Sequence, residues 1–198
     1  MLGSTYENQT CSIAAALDVI GERWSLLVVR EVFLGVRRFD EIQRDLGIAR
    51  NVLQTRLTKL VQEGVLERRP YQERPARYEY RLTDKGLDLW PTMVSLMQWG
   101  DRHAAPAAGP PVLLEHKGCG GAVDEHRMCA ACGERLSAVE VRALAGPGAQ
   151  PDHPLARRLA QARRKSAATA SQRTAARAPS LQAGGGGPTA AGAAVSSR

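Results

Sequence analysis

The chain has 198 residues, with 27 Lys plus Arg against 20 Asp plus Glu and a net charge of +7. That length suits one or two small domains. The lack of any apolar run of 18 residues, together with an N-terminus (MLGSTYENQT) that has neither half of a signal peptide, argues against a membrane protein and for a soluble, cytoplasmic one. Residues 151–198 carry 8 basic groups and 1 acidic group, whereas residues 37–81 hold 11 and 7, a basic centre that is a better footprint for nucleic acid than the charge of the whole chain.

In chain order, CSIAAALDVIG reads as a short helix closed by Gly21. RWSLLVVREVFLG is apolar nearly all round and closed by Gly35, so it should be the buried centre. RFDEIQRDLG spaces Phe39, Ile42 and Leu46 along one helical face and stops at Gly47; LGIARNVLQTRL then begins another helix. Helix, glycine turn, helix is the helix-turn-helix pattern.

At about 100° per residue, Val52, Leu53, Leu57, Leu60 and Val61 share one side of the last helix. Asn51, Gln54, Thr55, Thr58, Lys59 and Gln62 share the other. A solvated face normally mixes both signs of charge, but no Asp or Glu occurs from Arg50 to Gln62. Asn and Gln pair with adenine edges and Arg with guanine, so Asn51, Gln54 and Thr55 are typed for base contact; Arg50, at the edge of the polar arc near the helix N-terminus, could reach a base or a phosphate, and Lys59 is placed for phosphate. Arg56 falls among the apolar residues and is expected to pair with an acidic side chain of the preceding helices; DNA contact is the alternative, since a long side chain can also reach outward.

After Gly64 the period changes to two. VLERRPY and RYEYRLT are strands joined by QERPA, a hairpin rich in arginine. Arg74 and Arg77, near the tip, are the first candidates for backbone or minor-groove contact; charged edges that prevent sheet association are the alternative. LTDKGLDLWPTMVSLMQWGDRH follows as one helix, capped by Thr83 and kinked at Pro91.

These elements predict a mainly α fold with a small β-hairpin, a winged helix-turn-helix domain over residues 1–103. The run from Cys11 to His103 resembles the HxlR-type winged helix-turn-helix regulators, related in architecture to MarR-type regulators. Its most specific pieces are IGERWSLLVVRE, RFDEIQRDLGI, RYEYRLT and WGD. The resemblance implies a homodimer built from the N-terminal and last helices, binding palindromic operator DNA. It also implies that residues 50–55 face the major groove and that the hairpin after Pro70 is the wing. Some similar regulators use an N-terminal cysteine as a thiol sensor, which makes Cys11 a candidate; a small packed residue is the other reading.

AAPAAGPP, residues 104–111, is a linker to a module over residues 112–147. There HKGCG and CAACG repeat a ligand-x-x-Cys-Gly pattern, bringing His116, Cys119, Cys129 and Cys132 together as a set for one tetrahedral zinc ion, with His126 as an alternative fourth ligand. About 35 residues can hardly fold on an apolar core alone, which favours a zinc-ribbon-like staple. From residue 148 to 198 the chain is rich in Ala, Arg and Gly and reads as a disordered basic tail. The resulting expectation is a bacterial-type, dimeric regulator of double-stranded DNA without catalytic activity. A thiol-disulfide or metal-sensing protein built on the Cys/His cluster is the alternative, although no thioredoxin-like βαβ setting surrounds Cys129 and Cys132.

Overall fold

The computed structural model describes Tyr6 and residues 9–161. Four helices come first: α1 (Ser12–Ile20), α2 (Ser25–Phe33), α3 (Phe39–Leu46) and α4 (Arg50–Gln62). α3 ends because Gly47 adopts φ +60°, a left-handed conformation that side chains disfavour, and three residues later α4 begins in a new direction.

α2 is the centre that its apolar run predicts. Its Val28, Val29 and Val32 meet Ile42 of α3 and Leu53, Leu57 and Leu60 of α4, all buried. Each fully buried leucine contributes about 1.5–3 kcal/mol relative to exposure. This packing presents one face of α4 to the core and leaves the opposite face outside.

The hairpin consists of β1 (Leu66–Gln72) and β2 (Arg77–Leu82), antiparallel, with Leu66 opposite Leu82 and Pro70 opposite Tyr78. Tyr80 turns inward and is buried, and its amide donates to the Arg37 carbonyl at 2.8 Å. That bond, with a bridge between Arg38 and Glu79, ties the hairpin to the chain entering α3. The wing is thereby held beside the helix-turn-helix.

Beyond the hairpin the structure differs from the expected single kinked helix. α5 (Asp84–Leu87) is capped by Thr83, whose hydroxyl accepts from the Gly86 amide at 3.1 Å, and α6 (Trp90–His103) starts afresh with Pro91 in its first turn. Proline lacks only a donor that no helix uses in its first turn, so Pro91 opens α6 instead of bending it.

In the second module β3 (Val112–His116) pairs antiparallel with β4 (Val141–Ala145). Its small core is Cys129, Leu136 and Val141, against which Leu114, Val123 and Trp90 pack. Trp90 also lies 5.7 Å from Phe33, ring centre to ring centre, so the first residue of α6 joins the module to α2.

The disordered tail expected from residue 148 gives way to a helical segment over residues 154–161. Leu155, Ala156 and Leu159 are buried there, and Arg158 pairs with Asp45 of α3 at 2.5 Å. These apolar contacts offset the ordering entropy that the local composition alone does not. Residues 162–198, the rest of that expectation, lie outside the described residues.

Candidate nucleic-acid interface and metal centre

The outer face of α4 carries Asn51, Gln54, Thr55 and Thr58, all exposed. Thr55 Oγ1 donates to the Asn51 carbonyl at 2.9 Å and Gln54 Nε2 to Thr58 Oγ1 at 3.3 Å, so the row is held by its own i,i+4 bonds. Arg50 lies over the Phe39 ring at 4.8 Å and 3.7 Å from Asp40, with both charged groups largely in solvent. Such an exposed pair is worth about 0–1 kcal/mol and yields readily to another anion.

Two basic residues of α4 point inward along the chain. Arg56 pairs with Glu22 at 3.4 Å, the intramolecular role its place on the wheel indicates. Lys59, read from sequence as a phosphate contact, donates instead to the Asp18 carbonyl in the last turn of α1. A helix C-terminus attracts cations, and Lys59 lies within reach of one.

On the wing, Arg69 pairs with Glu67 at 2.7 Å, Arg81 with Glu79 at 2.6 Å, and Arg68 covers the Tyr78 ring at 3.6 Å. Among the described residues, Arg74 and Arg77 are exposed and have no ion-pair partner. They sit at the tip, where β1 gives way to β2. Cys11 caps α1, its sulfur accepting from the Ala14 amide at 3.4 Å.

In the second module His116, Cys119, Cys129 and Cys132 bring one ligand atom each within 4.8 Å of one another. Cys119 Sγ lies 3.3 Å from both His116 Nδ1 and Cys129 Sγ, and Cys132 Sγ is 3.4 Å from His116 Nδ1. The edges of a tetrahedron around zinc, with bonds of about 2.0–2.3 Å, are only slightly longer. Gly120 and Gly133 close the two knuckles, their amides donating back to the carbonyls of His116 at 2.9 Å and Cys129 at 2.8 Å. A side chain at Gly121 would place its Cβ 2.4 Å from Cys129 Sγ, so this glycine leaves room for the sulfur.

The backbone amide of Cys132 and, against the effect of burial, that of Ala131 hold the Cys129 thiol down at about 6. Cys119 beside it moves up: the Gly121 amide lowers it, but the neighbouring Cys129 sulfur and burial outweigh that. One sulfur readily ionised and buried among two further thiols and an imidazole is a donor set that fits a soft divalent metal. His126 is not part of it; it is 79% exposed and faces Glu125 at 3.7 Å. The spacing allowed either histidine, and the β3 register chose His116.

Sequence reasoning missed Asp45, buried at 3% exposure and paired with Arg158, because that contact spans 113 positions. It also missed Trp90 as the joint between the modules. An apolar residue next to a proline gave no local signal for that role.

A helix-turn-helix with a free polar face on its second helix, followed by a two-stranded wing, defines a winged-helix DNA-binding protein. The chain belongs to the HxlR-like helix-turn-helix family, which residues 19–108 match. It is 47% identical over 137 residues to Mb3122 of Mycobacterium bovis and to Rv3095 of Mycobacterium tuberculosis, both described as uncharacterized HTH-type transcriptional regulators. Those matches cover 69% of this chain and 87% of theirs. The crystal structure of PA1607, described as a candidate transcription factor, is 40% identical with a TM-score of 0.56 and covers 69% of this chain and 95% of that one.

The protein is thus a helix-turn-helix transcriptional regulator of the HxlR type and not an enzyme. A match of 137 residues must run well past residue 108, so these relatives share sequence beyond the helix-turn-helix domain. Among the described residues no helix is long and apolar enough to cross a membrane.

Proposed function

We propose that the regulator binds palindromic operator DNA as a homodimer in the cytoplasm, with α4 in the major groove and the hairpin on the backbone or minor groove. The observation that carries this reading is the exposed row Asn51, Gln54 and Thr55 on a helix whose other face is locked into the core. Arg50, and Arg74 and Arg77 of the hairpin, which have no ion-pair partner among the described residues, supply the positive charge. Lys59 is occupied within the chain and is left out of the contact set.

The dimer reading is supported by apolar side chains that α1 and α6 leave in solvent: Ile13 at 72%, Leu17 at 40%, Leu96 at 49% and Trp99 at 56% exposure. Residues of this size exposed on two helices are costly in a monomer and are ordinary at a two-fold interface.

We further propose that His116, Cys119, Cys129 and Cys132 hold one zinc ion as a structural staple. The donor set and the room left at Gly121 support this assignment. Zinc bound there would cross-link the two knuckles, and a module with so small a core gains its stability from that link.

Selection of binding sites from random double-stranded DNA with the purified protein, with zinc measured on the same preparation, tests both proposals. An enriched inverted repeat and one zinc per chain are expected. Absence of any enriched motif would reject the operator reading, and a metal content near zero would reject the zinc assignment.

A further inference from the structure

A cavity of about 270 Å³ lies between α2, α6 and β3. Leu27 and Phe33 of α2, Trp90, Met93 and Met97 of α6 and Leu114 of β3 make most of its wall. Among the described residues, the charged ones that line it are Arg30 and Asp101. They are not equivalent.

Arg30 is already engaged, its Nε and Nη2 donating to Glu31 Oε1 at 3.0 and 2.5 Å. Asp101 is half-buried and has no hydrogen-bond or ion-pair partner among the described residues, and burial pushes its carboxyl up from the ordinary range. Beside it, in the adjoining space bounded by Met97, Gln98 and Val112, Gln98 Oε1 is buried without a donor. Among the described residues the wall of this apolar cavity therefore presents one carboxylate without a partner, Asp101, which also borders the adjoining space where Gln98 Oε1 lies unsatisfied. A carboxylate partly withdrawn from water is costly to keep charged, and a bound cationic donor would offset that cost.

We propose that this cavity is a ligand site for a small apolar molecule carrying a protonated amine, its rings among Leu27, Trp90 and Met93 and its ammonium on Asp101. The size is suited to a bicyclic ring system, since a cavity of about 150 Å³ accepts benzene. The site lies outside the family match in part, because β3 closes it and residues 19–108 do not include that strand.

Its position gives it a route to DNA. The same helix that lines the cavity with Leu27 and Phe33 packs Val28, Val29 and Val32 against the cluster that seats α4. A ligand that favours one placement of α2 changes operator affinity, and operator DNA changes ligand affinity by the same factor. This consequence rests on the operator reading, whereas ligand binding itself does not.

The test is calorimetric titration of the full-length protein, in its own oligomeric state, with 1-naphthylmethylamine and with 1-naphthaleneacetate, which share a ring system and differ in charge. The amine is expected to bind at least about tenfold more tightly, as a charge-assisted hydrogen bond in a partly buried site implies. Asp101→Asn, nearly isosteric and with no donor to lose among the described residues, should abolish the preference without moving the melting temperature. Met97→Trp, which fills the cavity, should remove binding of both probes while circular dichroism stays unchanged. Equal binding of the two probes, a preference that survives Asp101→Asn, or binding that survives Met97→Trp would overturn the site. Heat from neither probe would do so too, the cavity then being filled by a second copy of the chain or closed. If site selection yields no operator but the amine preference stands, the operator reading fails and the ligand site does not.

Discussion

Replacing Arg158 by alanine is expected to destabilise the folded unit although the residue lies in a stretch whose composition reads as disordered. Its guanidinium pairs at 2.5 Å with Asp45, whose side chain is fully inaccessible, while Arg158 itself is 28% exposed. The only other charged partner of Asp45 among the described residues is Arg44, at 3.4 Å and 62% exposed. Removing one member of a fully buried pair costs about 3–5 kcal/mol. The partial exposure of Arg158 and the remaining contact to Arg44 reduce this to about 2–3 kcal/mol. At about 2–4 °C per kcal/mol for a unit of this size, the melting temperature should fall by about 4–12 °C. Thermal and urea unfolding of Arg158→Ala, Asp45→Asn and the double variant measure it, and the cycle should return a coupling of about 1–3 kcal/mol. A single variant within about 0.5 kcal/mol of the parent, with no coupling, would refute the docking of residues 154–161 on α3.

Other expectations concern DNA and metal. Gln54→Ala should cost about 1–3 kcal/mol against the preferred operator and little against random DNA, as read by competition binding; equal losses on both would reject base contact by this residue. Arg74→Ala should weaken both about equally and lower the salt slope of log K by roughly 1. An unchanged slope would take Arg74 off the phosphates. Chelation of zinc should lower the melting temperature, and Cys129→Ser should reduce metal content in the same preparation, whereas His126→Ala should leave it intact. In metal-free protein the Cys129 thiol is depressed from near 9 to about 6, so the stability it contributes is fully present above the ordinary thiol value and is lost as pH falls through about 6. Melting curves from pH 9 down to pH 5 in chelator should therefore decline in the parent more than in Cys129→Ala, and parallel curves would remove the thiolate from the account.

Much of the architecture was legible because it depends on neighbours in the chain. The spacing of Leu53, Leu57 and Leu60 fixed which face of α4 packs, and the same arithmetic put Asn51, Gln54 and Thr55 outside. Gly47 announced the turn, Tyr80 against Arg81 announced the strand, and two Cys-Gly knuckles announced four converging ligands. Periodicity, turn geometry and ligand spacing act over a few residues, so composition and order are enough to read them. What tertiary structure decided were choices between partners that local rules leave equal. Lys59 could meet a phosphate or a carbonyl, and the approach of α1 supplied the carbonyl. His116 and His126 were both within reach of a metal set, and the pairing of β3 with β4 selected the first. Residues 154–161 had too few apolar side chains to order themselves, yet a buried carboxylate on α3 gave Arg158 a place to go. Each of these contacts joins elements far apart in sequence, and its energy exists only once packing has excluded water from both partners.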